Sequence, residues 1–216
     1  MGNIKNGYFP MIKVQRLGKR LGQRMIFRQL DFVWDAPDMI CLCGANGSGK
    51  TTLLSMLAGA MQPDVGDVLV QGRSLADRRQ AVAELVSFVP DDCPVYPFIT
   101  GREWLAFTKS IRAVDLRIEQ ELLSGFGLQP HLDCTFGAMS LGTSKKFLLT
   151  AALMCNTPLL ILDEPTNGLD KTSFEVLCLH LGRRKTEGLV VLSCLDSMQQ
   201  HQLGVRPVEL SSLEAS

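Results

Sequence analysis

Apolar positions along this chain gather into short continuous runs, separated by stretches in which they recur at helical spacing. Met39-Ile40-Cys41-Leu42-Cys43 predicts a buried strand, followed by a glycine-rich turn and a helix from about Lys50 to Ala58. Val68-Leu69-Val70 and Val86-Ser87-Phe88-Val89 predict two further strands. Leu159-Leu160-Ile161-Leu162 and Leu189-Val190-Val191-Leu192 are apolar throughout, as expected of strands covered on both faces. Between them, Lys171 to Lys185 has a helical pattern. Strand–helix–strand alternation argues for an α/β fold with a parallel sheet. The stretch from Asp92 to Ser140 departs from that rhythm. Gly101–Ile111 and Leu116–Phe126 are helical in pattern, which predicts a helical insertion over residues 92–140.

Composition narrows the functional classes. The 216 residues carry 22 Lys+Arg and 22 Asp+Glu, so long-range attraction to nucleic acid or anionic lipid is not a property of the whole chain. Nucleic acid is therefore not an expected partner. The most apolar stretch, Phe147 to Leu162, is broken by Thr150 and by Asn156-Thr157-Pro158, whereas a membrane span needs ~20 apolar residues. The segment Met1-Gly2-Asn3-Ile4-Lys5-Asn6 has no apolar leader core and lacks the Ser/Thr of a myristoylation signal. Cys41, Cys43, Cys93, Cys134, Cys155, Cys178 and Cys194 form no CxxC pair, which favours a reducing compartment and structural roles in apolar runs.

The neutral balance conceals an uneven start. Lys5, Lys13, Arg16, Lys19, Arg20, Arg24 and Arg28 precede the first acid, Asp31. One reading is the solvated face of a β-meander. The other is local attraction to a polyanion such as a nucleoside triphosphate.

Gly44-Ala45-Asn46-Gly47-Ser48-Gly49-Lys50-Thr51 fits G-x-x-x-x-G-K-[ST], with a predicted strand before it and a helix after it. That context distinguishes a phosphate-binding P-loop from a chance match. The glycines let backbone N–H groups turn inward toward phosphate oxygens, and the helix adds its positive end. Lys50 would reach the β- and γ-phosphates, the Thr51 hydroxyl would ligate Mg²⁺, and Thr52 continues the turn. Such a loop needs a carboxylate on a second strand. Asp163, ending Leu159–Leu162, supplies it, and Glu164 is placed to orient or deprotonate an attacking water.

Here the chain resembles a known family, the ATP-binding subunits of ABC transporters, from about Ile12 to Asp196. Asp163-Glu164-Pro165-Thr166-Asn167-Gly168-Leu169-Asp170 is similar to the family's Walker B motif and D-loop, the latter including Asp170. Ala58-Gly59, Pro63-Asp64-Val65-Gly66 and Gly72 match the stretch that follows its P-loop helix. The family's Leu-Ser-Gly-Gly-Gln signature corresponds to Met139-Ser140-Leu141-Gly142-Thr143, whose Ser140 can cap a helix and face a phosphate held by another subunit. The resemblance implies a P-loop NTPase (RecA-like) core with an N-terminal antiparallel β subdomain and a helical signature subdomain. Residues 1–216 would form one ATP-binding domain, with 92–140 as the helical part. It further implies ATP and Mg²⁺, a homo- or heterodimer clamping nucleotide head to tail, and separate transmembrane permease subunits. The location implied is the cytoplasmic face of the inner or plasma membrane. The stretch Val89 to Gly101 resembles the Q-loop region of export-type members, which tilts the reading toward an exporter. Only 20 residues follow Asp196, too few for an appended sensing domain.

Four positions depart from the family pattern. Asp91 stands at the Q-loop glutamine. Leu141 and Thr143 replace the first glycine and the glutamine of the signature. Leu21 falls where an aromatic stacks on adenine, leaving Phe27, Arg20 or Arg24 as substitutes. Leu195 occupies the switch-histidine position, and loss of one such preorganised donor typically costs ~10²–10³ in rate. His180 and His201 read as surface residues. The expectation is an ATPase with slow turnover. The alternatives are an ATP-gated regulatory or assembly subunit that barely hydrolyses, or a soluble P-loop enzyme such as a kinase or repair ATPase. A kinase would lack a signature motif and need a lid for its acceptor, and a repair ATPase would carry long coiled coils, whereas no sustained heptads occur here.

Overall fold

The computed structural model describes residues 9–214, so Lys5 and the segment Met1–Asn6 lie outside the described residues. Near the N-terminus, β1 (Ile12–Leu21) and β2 (Arg24–Trp34) pair antiparallel around the two-residue turn Gly22-Gln23. With β4 (Val65–Val70) and β5 (Arg73–Ser74) they form a sheet of order β2-β1-β4-β5. Arg16 bulges out of β1 at φ 48°, and Gly66 crosses beneath it. A Cβ on Gly66 would stand 2.3 Å from the Arg16 carbonyl oxygen, so only glycine fits.

The second sheet is parallel. It takes β3 (Asp38–Cys43), β6 (Val86–Val89), β7 (Leu159–Leu162), β8 (Leu189–Ser193) and β9 (Arg206–Glu209) in the order β6-β7-β8-β3-β9. Alternation along each strand sorts its side chains between two cores. Met39, Cys41, Leu160, Leu162, Val190 and Leu192 face α3 (Gly101–Ile111), α4 (Leu116–Gly125), α5 (Leu141–Leu153) and α6 (Lys171–Glu187). Ile40, Leu42, Leu159, Ile161, Leu189 and Val191 face α1 (Lys50–Leu57) and the antiparallel sheet. Apolar runs that looked strand-like because they lack polar alternation are thus explained by burial on both sides.

The short α2 (Arg79–Ala83) and α7 (Ser197–Leu203), together with β5 and β9, add to the elements read from periodicity. β9 is half apolar and exposed along its edge, so hydrophobic pattern alone left it unmarked. α3 begins where Thr100 and Glu103 cap each other: Thr100 Oγ1 accepts the Glu103 N–H at 3.2 Å, and Glu103 Oε2 accepts the Thr100 N–H at 2.9 Å. Its first residue, Gly101, packs so tightly on Phe147 of α5 that an added Cβ would meet the ring at 2.4 Å. These close contacts fasten the insertion to the signature helix.

One expectation is corrected here. His180 is buried, 3% exposed, not on the surface. It shares with Ser173, Leu177, Leu181 and Arg184 the stripe of α6 turned inward, where burial depresses its basicity. Its Nε2 lies 3.7 Å from Glu121 Oε2, the carboxylate that also accepts from Arg183 at 2.6 Å. His201, on α7, is exposed as expected.

Substituting Ile161→Ala, at a strand centre with no solvent exposure, is expected to lower unfolding free energy by about 2–5 kcal/mol in urea titration.

Candidate functional site

The parallel register sets up the site. β3 pairs with β8 from Asp38↔Leu189 to Leu42↔Ser193, and β7 pairs with β8 from Leu159↔Leu189 to Leu162↔Leu192. The carboxyl ends of three strands therefore finish in a row, where α/β sheets ordinarily bind ligands.

After β3 the chain turns through Gly44, Ala45, Asn46, Gly47 and Ser48 into Gly49, with Gly44, Gly47 and Gly49 at φ 145°, 75° and 112°. Gly49 has two independent reasons to be glycine. Its φ excludes most side chains, and an added Cβ would stand 2.7 Å from both Ile26 Cγ2 and Phe27 Cζ of β2. Helix α1 starts at Lys50, its first full-turn bond running from the Leu53 N–H to the Gly49 carbonyl at 2.9 Å. Its N-cap has no side-chain acceptor. The N–H groups of Lys50, Thr51 and Thr52 precede that bond and are open to an anion. Lys50, 8% exposed, curls back so that Nζ donates to the carbonyls of Gly44 at 2.8 Å and Ala45 at 3.2 Å. Thr51 is exposed and Thr52 buried in this first turn. Ser48 Oγ is buried with no hydrogen-bond partner among the described residues.

Asp163 continues β7 by one rung, its N–H donating to the Val89 carbonyl at 2.8 Å. The side chain is 1% exposed. Its Oδ1 accepts the Ser193 hydroxyl at 2.6 Å, while Oδ2 has no partner among the described residues. A buried carboxylate with one oxygen committed and the other free is a fit for a divalent cation brought in with a ligand, since an unpaired buried acceptor is otherwise costly. Among the described residues there is no cluster of three or more His, Cys, Asp and Glu side chains to hold a metal independently.

Ser193 is the residue that motif reading missed. Its Oγ donates to Asp163 and accepts the Glu164 N–H at 2.9 Å, so one hydroxyl orients both acids. The only available signal was a polar residue closing an apolar run. Glu164 sits at φ 43°, a left-handed conformation that a non-glycine residue adopts at a cost of order 1–3 kcal/mol. Burial raises its carboxyl above the ordinary range, the neighbouring Asp163 and Asp91 charges push it further, and Lys50 and the Leu195 N–H oppose them. A carboxylate raised in this way holds a proton more readily than an ordinary glutamate, as a general base requires.

Asp91 follows β6 and accepts from Asn167 Nδ2 through Oδ1 at 3.2 Å. The same oxygen lies 3.5 Å from Lys145 Nζ. Ser140 caps α5, its Oγ accepting the Thr143 N–H at 3.2 Å and bonded to Thr143 Oγ1 at 2.9 Å. Leu141 is 65% exposed beside it. Gly142 approaches Gly168 so closely that an added Cβ would meet the Gly168 oxygen at 2.4 Å. The segment carrying Asp170 is thereby held against the start of α5. Asp170 caps α6 through the Ser173 N–H at 2.9 Å and accepts Lys146 Nζ at 2.7 Å. Those hydrogen bonds, Lys146 first, hold its carboxyl far below the usual range.

Two positions correct or sharpen the sequence reading. Phe27 is 1% exposed and packed on Gly49, so it presents no face to a base. Arg24 is exposed and reaches across the loop, Nη2 donating to the Gly47 carbonyl at 2.9 Å, whereas Arg20 turns to the Gln23 carbonyl at 3.4 Å. Leu21 is 44% exposed and Leu195 is 54% exposed. Of the basic N-terminal residues, Lys19 is neutralised by Asp64 at 2.8 Å.

Comparison with known proteins finds relatives of this fold. The family described as ABC transporter matches residues 27–167. The cytochrome c biogenesis ATP-binding export protein of Pseudomonas putida is 33% identical over 194 residues, 89% of this chain and 92% of that one. The Nod factor export ATP-binding protein I of Burkholderia lata is 30% identical over 194 residues, 88% of this chain and 64% of that one. A solved ATP-binding subunit of an ABC transporter superposes with a TM-score of 0.80 at 25% identity, covering 89% of this chain and 82% of that one.

Ser193→Ala leaves Asp163 Oδ1 without its donor in a buried setting. The expected loss is about 1–3 kcal/mol of unfolding free energy, read from the urea midpoint at neutral pH.

Proposed function

Because the chain belongs to the ABC transporter ATP-binding family, we propose that it hydrolyses ATP slowly with Mg²⁺ and couples that cycle to export through separate membrane subunits. As an ATP-binding subunit of that family it is an ATPase. Among the described residues no helix is long and apolar enough to cross a membrane. The proposed place is the cytoplasmic face of the membrane, against transmembrane permease subunits. The export direction rests on the names of its relatives in Pseudomonas putida and Burkholderia lata.

The observation that carries the reading is the buried Asp163, with one free oxygen, beside a Glu164 whose carboxyl is raised. In the proposed cycle the phosphates lie against the N–H groups of residues 44–52, and Lys50 leaves its loop carbonyls to bind them. Mg²⁺ bound with the nucleotide would supply charge neutralisation at the phosphates, and Asp163 Oδ2 and the Thr51 hydroxyl are the groups that would hold it. Glu164 takes a proton from the attacking water as the water oxygen bonds to the γ-phosphorus, and the bond from the γ-phosphorus to the ADP oxygen breaks. Arg24 is the residue we place beside the base, in the role that an aromatic at Leu21 would have played.

Residues 1–216 act as one ATP-binding domain, with 92–140 as its helical part. Two copies, or this chain and a related one, close head to tail so that Ser140, Leu141, Gly142 and Thr143 of one face the nucleotide of the other. Asp170 ties that surface to α6. Leu195 presents no side-chain donor at the switch position, which slows turnover on this reading. A second reading, an ATP-gated subunit with little hydrolysis, is favoured by the same residue and by Asp91.

Phosphate release measured on the purified chain, with permease subunits added in a parallel assay, separates the two. Slow turnover that Glu164→Gln lowers by at least ~10²-fold while ATP binding persists supports the ATPase. Tight ATP binding with no turnover in either assay supports the gated subunit. Leu195→His, which restores a donor toward the transferred phosphoryl group, is expected to raise turnover by up to ~10²-fold. The same phosphate-release assay checks it.

A further inference from the structure

Lys145 is a buried cation for which the proposed cycle gives no task. It lies in the second turn of α5, the helix that starts at Ser140, and its side chain is only 2% exposed. Lysine is almost never buried so completely unless it is paired, because an ammonium taken out of water loses its solvation unless its protons find acceptors. Here all three do. Nζ donates to the Pro90 carbonyl at 2.9 Å, the Asp91 carbonyl at 3.1 Å and the Asp163 carbonyl at 3.0 Å.

These acceptors come from the ends of two adjacent parallel strands. Asp163 donates its own N–H to Val89, the last residue of β6, and among the described residues no backbone N–H bonds the Asp163 carbonyl at the next rung. The lysine ammonium takes that place and joins the two strand ends to a helix. At the same time it stands 3.5 Å from Asp91 Oδ1. Asp163 is therefore gripped at its N–H by Val89, at its carbonyl by Lys145 and at Oδ1 by Ser193. Among the described residues Oδ2 alone has no partner.

We propose that Lys145 is a positioning residue of the nucleotide site: it fixes the backbone of Asp163 and the Asp91 turn so that Asp163 Oδ2 is preset for the nucleotide-bound metal. This inference rests on the ATPase reading above. The lysine touches neither nucleotide nor metal. It acts through the aspartate it holds, and groups that orient metal ligands in this way typically alter metal affinity 10–100-fold when removed. A packing role would be met by any side chain of similar volume. A positioning role needs the three donors.

The test uses the 216-residue chain and a fluorescent, non-hydrolysable ATP analogue titrated over a range of Mg²⁺ concentrations and in EDTA, with melting temperature followed by circular dichroism. Lys145→Met fills the space without donors. It is expected to raise the Mg²⁺ concentration for half-maximal tight binding at least ~10-fold while affinity in EDTA stays near the unsubstituted value. Lys145→Gln, which keeps a donor group, is expected to fall between the two, and it carries the comparison if Lys145→Met does not fold. A Mg²⁺ midpoint unchanged in the variants overturns the proposal. So does a parallel loss of binding with and without Mg²⁺ that follows the melting temperature. If the unsubstituted chain fails to bind the analogue at every Mg²⁺ concentration, the ATP-binding reading itself fails, and this inference with it.

Discussion

The register of three parallel strands is the constraint on which the site depends. With Leu162 opposite Leu192 and Leu42 opposite Ser193, the residues that close β7 and β8 stand side by side. Asp163 then meets the Ser193 hydroxyl at 2.6 Å, and the same oxygen receives the Glu164 N–H. A slip of one residue would send Asp163 to the other face of the sheet and leave a carboxylate in an apolar core. The two flanking cores prevent it, because each strand has fully buried side chains on both faces. The geometry of the candidate site is thus secured by hydrophobic packing on both faces of the strands that carry it.

What the packing secures, the site uses at some cost. Glu164 is held at a left-handed φ, Asp163 and Lys145 are buried ionisable groups, and Ser48 Oγ has no partner among the described residues. These features lie at the strand ends and the glycine loop, where strain and unmet polar groups suit a binding site. Others lie outside it: left-handed φ at Arg16 and Gln71 and, among the described residues, buried unpartnered Trp104 Nε1, Arg112 Nη1 and Arg184 Nε. Most helix starts follow local rules. Helices α3, α4, α5, α6 and α7 each begin at a Thr, Asp or Ser whose side chain accepts from the first turn. α1 is the exception among the long helices, capped by Gly49, and its first-turn N–H groups face the loop.

Much of this was legible in the chain because the signals were local. The glycine loop, the apolar runs and the paired acids each occupy a few consecutive residues, so pattern located β3, α1, β6, β7, α6 and β8. What escaped was set by tertiary contact. Nothing in the neighbours of His180 distinguishes it from a surface histidine until α4 packs over α6. Phe27 is apolar whether it stacks on a ligand or, as here, on Gly49. Ser193 and Lys145 owe their roles to partners 30 and 18 residues away in sequence, and no local pattern carries that information.

The departures from the family pattern separate once partners are considered. At Asp91 the shorter acid is met by a cation and an amide from its own chain, Lys145 and Asn167, so the change from glutamine sits within a rebuilt local network. At Leu195 the side chain points to no such partner and is more than half exposed, yet its backbone N–H still lies toward Glu164 and draws that carboxyl down. Asp91 has polar partners within its own chain. Leu195 has no side-chain donor and keeps only the backbone contact. On the proposed reading the two positions therefore have unequal chemical weight, and the slow step of the proposed cycle is assigned to Leu195 rather than to Asp91.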